Sequence, residues 1–166
     1  MYSRPPKSSH LDTIAYEIDM LRFCLGRLRQ PPANWEPGDR NLFIEAFLLH
    51  FRNLVRFFSG QNHRNADLST AVPMPWAGRE LSNDELARLQ EPARKLDDEY
   101  FSVVSKYLQH CTEVRYSEGR EWDVDGMYSE LSPLVAYFEQ HFLKRQFREV
   151  AQDGVVDNST VTISRR

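Results

Sequence analysis

The segment Asn41 to Phe58, NLFIEAFLLHFRNLVRFF, constrains the fold more than any other part of the chain. Plotted at about 100° per residue, Ala46, Phe57, Phe43, Leu54, Phe47, Phe58, Phe51, Ile44, Val55 and Leu48 fill one continuous arc. A helix that is apolar over more than half its circumference must be packed by other elements. Glu45, Arg52, Arg56 and Asn41 gather on the opposite stripe, with Asn53 at its border. His50 breaks the pattern, because it falls inside the apolar arc between Phe57 and Phe43. A buried imidazole must find a polar partner or stay neutral.

The rest of the chain repeats the helical period. Leu11, Ile14, Ala15, Ile18, Leu21, Leu25 and Leu28 form a first stripe, with Ser9 as its cap and Gln30-Pro31-Pro32 as its stop. Ser59-Gly60 ends the second helix. A long connection over about 60–81 follows, in which Val72, Met74 and Trp76 are expected to cover the core rather than to carry function. Ser82 and Glu85 form a capping box, with Leu81 and Leu86 as the hydrophobic staple. The helix they start either kinks at Pro92 or restarts there, and Leu96, Tyr100, Val103, Val104, Tyr107, Leu108, Cys111 and Val114 share its apolar face. Trp122 to Leu131 reads as a short helix. Ser132-Pro133 reads as the cap of a final long one carrying Leu134, Val135, Phe138, Phe142, Phe147 and Val150. The expectation is an all-α, single-domain bundle of four to five main helices. Residues 1–8 form a polar lead, 9–152 the domain and 153–166 a loose polar tail.

Composition narrows the function. At 166 residues, 41% apolar and 27% charged, the chain is long and apolar enough for one packed core. A net charge of −3 argues against indiscriminate binding to nucleic acid or anionic membranes. No apolar run approaches the roughly 20 residues of a membrane span, and MYSRPPKSSH lacks the apolar core of a signal peptide, so a cytosolic protein is expected. Cys24 and Cys111 read as small buried thiols. No metal site is expected, because no spacing puts two of His50, His110 and His141 on one helix face, and no cofactor motif is present. Asp97-Asp98-Glu99 and Asp123/Asp125 read as a solvated face and helix-start charges.

The candidate site is a polar cluster of His50, Arg52, Asn53, His110 and Arg115. His50 and Arg115 both intrude on apolar faces, so His50 is expected to be buried and to reach a polar residue of the His110–Arg115 segment. Such a cluster has two readings. It satisfies the buried polar groups of a seam, or it forms a small anion-binding or ribonuclease-like centre.

A resemblance bears on the second reading. IEAFLLHFRNLVRFF, Asp67-Leu68, Trp76, LQHCTEVR and Trp122 look like a group of small bacterial all-helical proteins, over about residues 40 to 145. Their layout is similar to the HEPN superfamily, whose active members are often dimeric endoribonucleases or nucleotidyl-transfer partners in toxin–antitoxin and defence systems. The superfamily signature, an Arg followed by a His after about four to six residues, is matched here by Arg56 and His63 (RFFSGQNH). The resemblance implies that Arg56 or Arg52 holds phosphate and that His63 or His50 acts as acid, base or charge stabiliser. Read from the residues alone, Arg56 is equally a solvent-facing cation and His63 a loop histidine. Two functions are therefore expected to compete. One is a helical domain acting through protein contacts, as a homodimer or as another chain's partner. The other is a HEPN-like endoribonuclease with RNA as its substrate.

Overall fold

The computed structural model describes residues 8–36, 38–61, 68–70, 81–109 and 121–144. These form helices α1 (Ser8–Arg29), α2 (Asp39–Ser59), α3 (Asn83–Gln109) and α4 (Val124–Phe138), and α4 runs into a π-helical turn, Glu139–Leu143. The described residues contain no strand, and the fold is an all-α bundle. The apolar stripe of α1 is buried at Ile14, Ile18, Leu21, Leu25 and Leu28, and the helix stops at Arg29, ahead of the two prolines. α2 lies between α1 and α3 and makes its main contacts with both. Its Phe47, Leu48, Phe51, Leu54, Val55, Phe57 and Phe58 are buried, as the helical plot requires. α4 closes the core from a third side. Phe138 packs edge-on against the rings of Phe57 and Phe58 at centroid distances of 5.3 and 5.7 Å.

The C-terminus of α2 shows how its neighbours hold it. A helix leaves its last four carbonyls without intrahelical donors. Here each has one. Ser59 Oγ donates to Arg56 O at 3.1 Å, Thr70 N to Phe57 O at 3.1 Å, Thr70 Oγ1 to Phe58 O at 2.9 Å, and Arg94 Nε to Ser59 O at 3.2 Å. Gly60 then turns the chain in the left-handed region at φ 71°, where a side chain would be strained. Thr70 is 2% exposed, so the connection after α2 returns to the core at this point. Val72, Met74 and Trp76 lie outside the described residues, as do Cys111 and the 145–166 segment with Phe147 and Val150.

Two prolines test the helix boundaries read from the sequence. α3 starts on the expected capping box, with Ser82 N donating to Glu85 Oε2 at 2.9 Å and Glu85 N to Ser82 Oγ at 3.3 Å. It continues through Pro92 as one helix, which decides between the kink or restart left open above. Around Pro133 the expectation of two helices is wrong, and α4 runs from Val124 to Phe138 without a break. Pro133 cannot donate to the carbonyl of Ser129. Ser132 Oγ takes that carbonyl instead, at 3.1 Å, so the break in the backbone ladder is repaired by the preceding side chain. Asp123 caps the helix start by accepting from Gly126 N at 2.8 Å.

Thr70→Val keeps shape and backbone donor but removes the hydroxyl from the Phe58 carbonyl. The expected loss of stability in urea unfolding is about 1 to 3 kcal/mol. Thr70→Ser should recover most of it, and a valine variant as stable as the parent would show that this bond contributes nothing.

Candidate functional site at the seams of the second helix

The short connection between α1 and α2 makes them an antiparallel pair. The Phe23 ring meets the Phe43 ring at 6.0 Å, and Tyr16 meets His50 edge-on at 5.9 Å, so residue numbers rise along one helix as they fall along the other. This pairing sets Glu17 beside His50. His50 is 7% exposed, as expected from its place in the apolar arc, and its Nδ1 lies 2.8 Å from Glu17 Oε2. Asn53 Nδ2 donates to the same oxygen at 3.1 Å. A carboxylate offers only lone pairs, so the proton of this contact resides on Nδ1.

The partner is therefore on α1. The expectation that His50 reaches the His110–Arg115 segment is not what the described contacts show, and His110 and Arg115 themselves lie outside the described residues. Glu17 was legible in part, because it borders the α1 stripe beside Ile14, Ile18 and Leu21. What the sequence withheld was the antiparallel register that brings it to His50.

Arg52 and Arg56 face the other seam. Arg56 Nη1 donates to Asp97 Oδ2 at 3.0 Å and to Gln61 Oε1 at 3.5 Å, and the guanidinium lies 4.2 Å over the Phe101 ring. Asp97 is 5% exposed, against the expectation of a solvated acidic face. It sits on the α3 surface that also carries Ala93, Tyr100 and Val104, and Arg56 meets the requirement that a buried carboxylate be paired. Arg56 is accordingly not the solvent-facing cation of the plain sequence reading. Its signature partner His63 lies outside the described residues. Arg52, half-buried beside Arg56, has no ion-pair partner among the described residues. Burial, and then the charge of Arg56, hold its pKa below the usual guanidinium value.

The proposed five-residue cluster is thus divided. His50 and Asn53 share Glu17 at the α1–α2 seam, while Arg52 belongs with Arg56 at the α2–α3 seam. A third polar centre was not anticipated. Arg22 forks onto Glu139, with Nη1–Oε1 at 2.8 Å and Nη2–Oε2 at 2.6 Å, and its Nε donates to Tyr128 Oη at 3.2 Å. Glu139 is fully buried. Burial works against the Arg22 cation, yet the bonds to Glu139 and Tyr128 outweigh it, and its pKa lies above the ordinary value. The π-helical turn, which starts at Glu139, offered no signal in the sequence pattern.

Chemically, the His50 site is an oriented imidazole in a closed seam. Among the described residues no hydroxyl or thiol bonds to it, and no group of three or more His, Cys, Asp or Glu side chains could hold a metal ion. No described helix is long and apolar enough to cross a membrane. No family model, curated protein or solved structure matches this chain.

Removing the imidazole leaves Glu17 and Asn53 around a void. His50→Ala is expected to cost about 1 to 3 kcal/mol in chemical denaturation. In a double-mutant cycle with Glu17→Ala, the coupling should lie at about 0.5 to 3 kcal/mol. Strict additivity would mean that the 2.8 Å contact carries no energy. A second outcome concerns Cys24, whose thiol is pushed up to about 11 by burial. The neutral form dominates far above neutrality, so native Cys24 should resist a thiolate-selective reagent at pH 8 and react on unfolding. Peptide mass mapping, which separates Cys24 from Cys111, reads this directly.

Proposed function

We propose that this domain acts through protein contacts and self-associates through the outer face of the α1–α2 pair. One observation carries the reading. The large apolar side chains that stand exposed among the described residues are Tyr16, Phe23, Leu42 and Leu49, and all four belong to these two helices. Tyr16 and Phe23 lie two turns apart on α1, and Leu42 and Leu49 two turns apart on α2. Between them the Phe23–Phe43 contact and the Trp35–Phe43 stack, at 5.3 Å, continue the apolar surface. An exposed apolar face of this kind marks an interaction site. A helical pair with a seven-residue apolar repeat is half of a four-helix bundle, and a second copy supplies the other half under two-fold symmetry.

The HEPN-like endoribonuclease is the competing reading. Its signature cation Arg56 is held between Asp97 and Phe101, which leaves Arg52, the other arginine expected to hold phosphate, with no ion-pair partner among the described residues. Toxicity on expression that disappears with His63→Ala would favour it over the interaction domain.

Size-exclusion chromatography with light scattering should give twice the 19.5 kDa mass of the chain. Leu42→Glu combined with Leu49→Glu should return the monomer with an unchanged helical circular dichroism spectrum, since both side chains lie outside the core. A parent protein that runs as a strict monomer would overturn the proposal.

A further inference from the structure

The apolar face of the α1–α2 pair carries charges in a self-complementary order. Along α1, Tyr16 and Phe23 stand exposed seven residues apart. Asp12, also exposed, lies four residues before Tyr16, and Arg27 lies four residues after Phe23. On the helical plot the four fall within about 60° of one another, so acid, aromatic, aromatic and base form one stripe. Arg27 is held to it by its guanidinium, 5.3 Å over the Phe23 ring. Reversed end to end, the stripe sets acid against base and aromatic against aromatic.

Two orientations are open to a second copy laid on this face. A two-fold axis perpendicular to α1, in the plane of the face, sets α1 on the partner's α1 in antiparallel register. Tyr16 then meets the partner's Phe23, Leu42 the partner's Leu49, and Asp12 the partner's Arg27. An axis along the helices sets α1 on the partner's α2 instead. The Tyr16–His50 and Phe23–Phe43 contacts fix the levels of the two helices. Asp12 is then level with the partner's Asn53 and Leu54, where it finds no cation. Arg27 is level with the partner's Asp39, whose carboxylate already accepts from Glu36 N at 2.9 Å. The first axis matches both charges, and symmetry does so twice. Asp19 and Glu45, near the midpoints of the two stripes, come close to acids under either axis and do not choose between them.

We infer that two copies pack antiparallel across a two-fold axis perpendicular to α1, with each Asp12 on the partner's Arg27. The inference rests on self-association through the α1–α2 face and adds the orientation and the residues that select it. Exposed pairs of this kind contribute little affinity each, but they suppress the wrong orientation.

Charge exchange tests the pairing in the full chain by analytical ultracentrifugation. Asp12→Arg and Arg27→Glu each set like charges together twice, and each should weaken self-association about tenfold or more. Mixed in equal amounts, the two variants should associate with close to the parent affinity, because the mixed dimer restores both pairs. A second readout leaves every charge in place. In Arg27→Lys, a carbodiimide should join the Asp12 carboxylate of one chain to the substituted lysine of the other, read by mass mapping of an isotopically mixed sample. Within one chain the two positions are about 22 Å apart along α1, too far for a zero-length link. A dimeric parent whose charge variants fail to restore one another, or whose lysine variant links Asp12 to no partner chain, would overturn the orientation and leave self-association standing. A monomeric parent would overturn both.

Discussion

The fold depends on the apolar circumference of α2. Seven of its large side chains are buried, each favouring burial by about 1.5 to 3 kcal/mol, and they point in too many directions for one neighbour to cover. α1 takes one flank, α3 the other, and Phe138 of α4 closes the gap around Phe57 and Phe58. The same logic extends to the helix end. Ser59, Thr70 and Arg94 satisfy the last four carbonyls from three different parts of the chain, so the end of α2 ties the connecting segment and α3 to the core at one point.

Apolar packing alone would let such helices slide or rotate. The polar contacts between them are placed where that freedom would otherwise remain. Glu17–His50 joins α1 to α2, Arg56–Asp97 joins α2 to α3, Arg22–Glu139 joins α1 to the π-helical turn, and Arg29–Asp125 joins α1 to α4. Their weights differ. Asp125 is largely exposed, so the Arg29 contact is screened by water and salt and contributes little. Glu139 is fully buried and doubly bonded, and losing Arg22 would strand a carboxylate in the core, a change that typically costs about 3 to 5 kcal/mol. Relative to well-packed apolar side chains such pairs add little net stability. What they do fix is geometry, since each joins named atoms of two different elements at hydrogen-bonding distance.

What could be read from the sequence followed from periodicity and capping. The arc of α2, the stripe of α1, the Ser82–Glu85 box and the burial of His50 are properties of single helices, and the structure shows each of them. The failures came where two elements had to be placed together. His50 needed a partner, but only the antiparallel α1–α2 register identifies it as Glu17. Asp97 read as one of three solvated acids because nothing local reveals Arg56 across the seam. The uninterrupted α4 was missed for a different reason. Pro133 is a strong helix-breaking signal, and its compensation by the Ser132 hydroxyl is a single hydrogen bond that pattern reading does not weigh.

The division of α2 also explains why its polar residues were misleading as a group. On a helical plot, Arg52, Asn53 and Arg56 occupy one side of the helix and invite interpretation as one cluster. In the bundle that side is split by two neighbours. Asn53 turns with His50 toward α1, where a carboxylate is shared, while the arginines turn toward α3. The other arginines of the bundle differ from Arg52 in their surroundings. Arg22, Arg29 and Arg56 each meet a carboxylate, and Arg27 lies 5.3 Å over the Phe23 ring. Arg52 lies at the α2–α3 seam beside another cation and has no ion-pair partner among the described residues. The polar side of α2 is therefore two different environments, and a cluster drawn on the helical plot is divided once the neighbouring helices are packed on it.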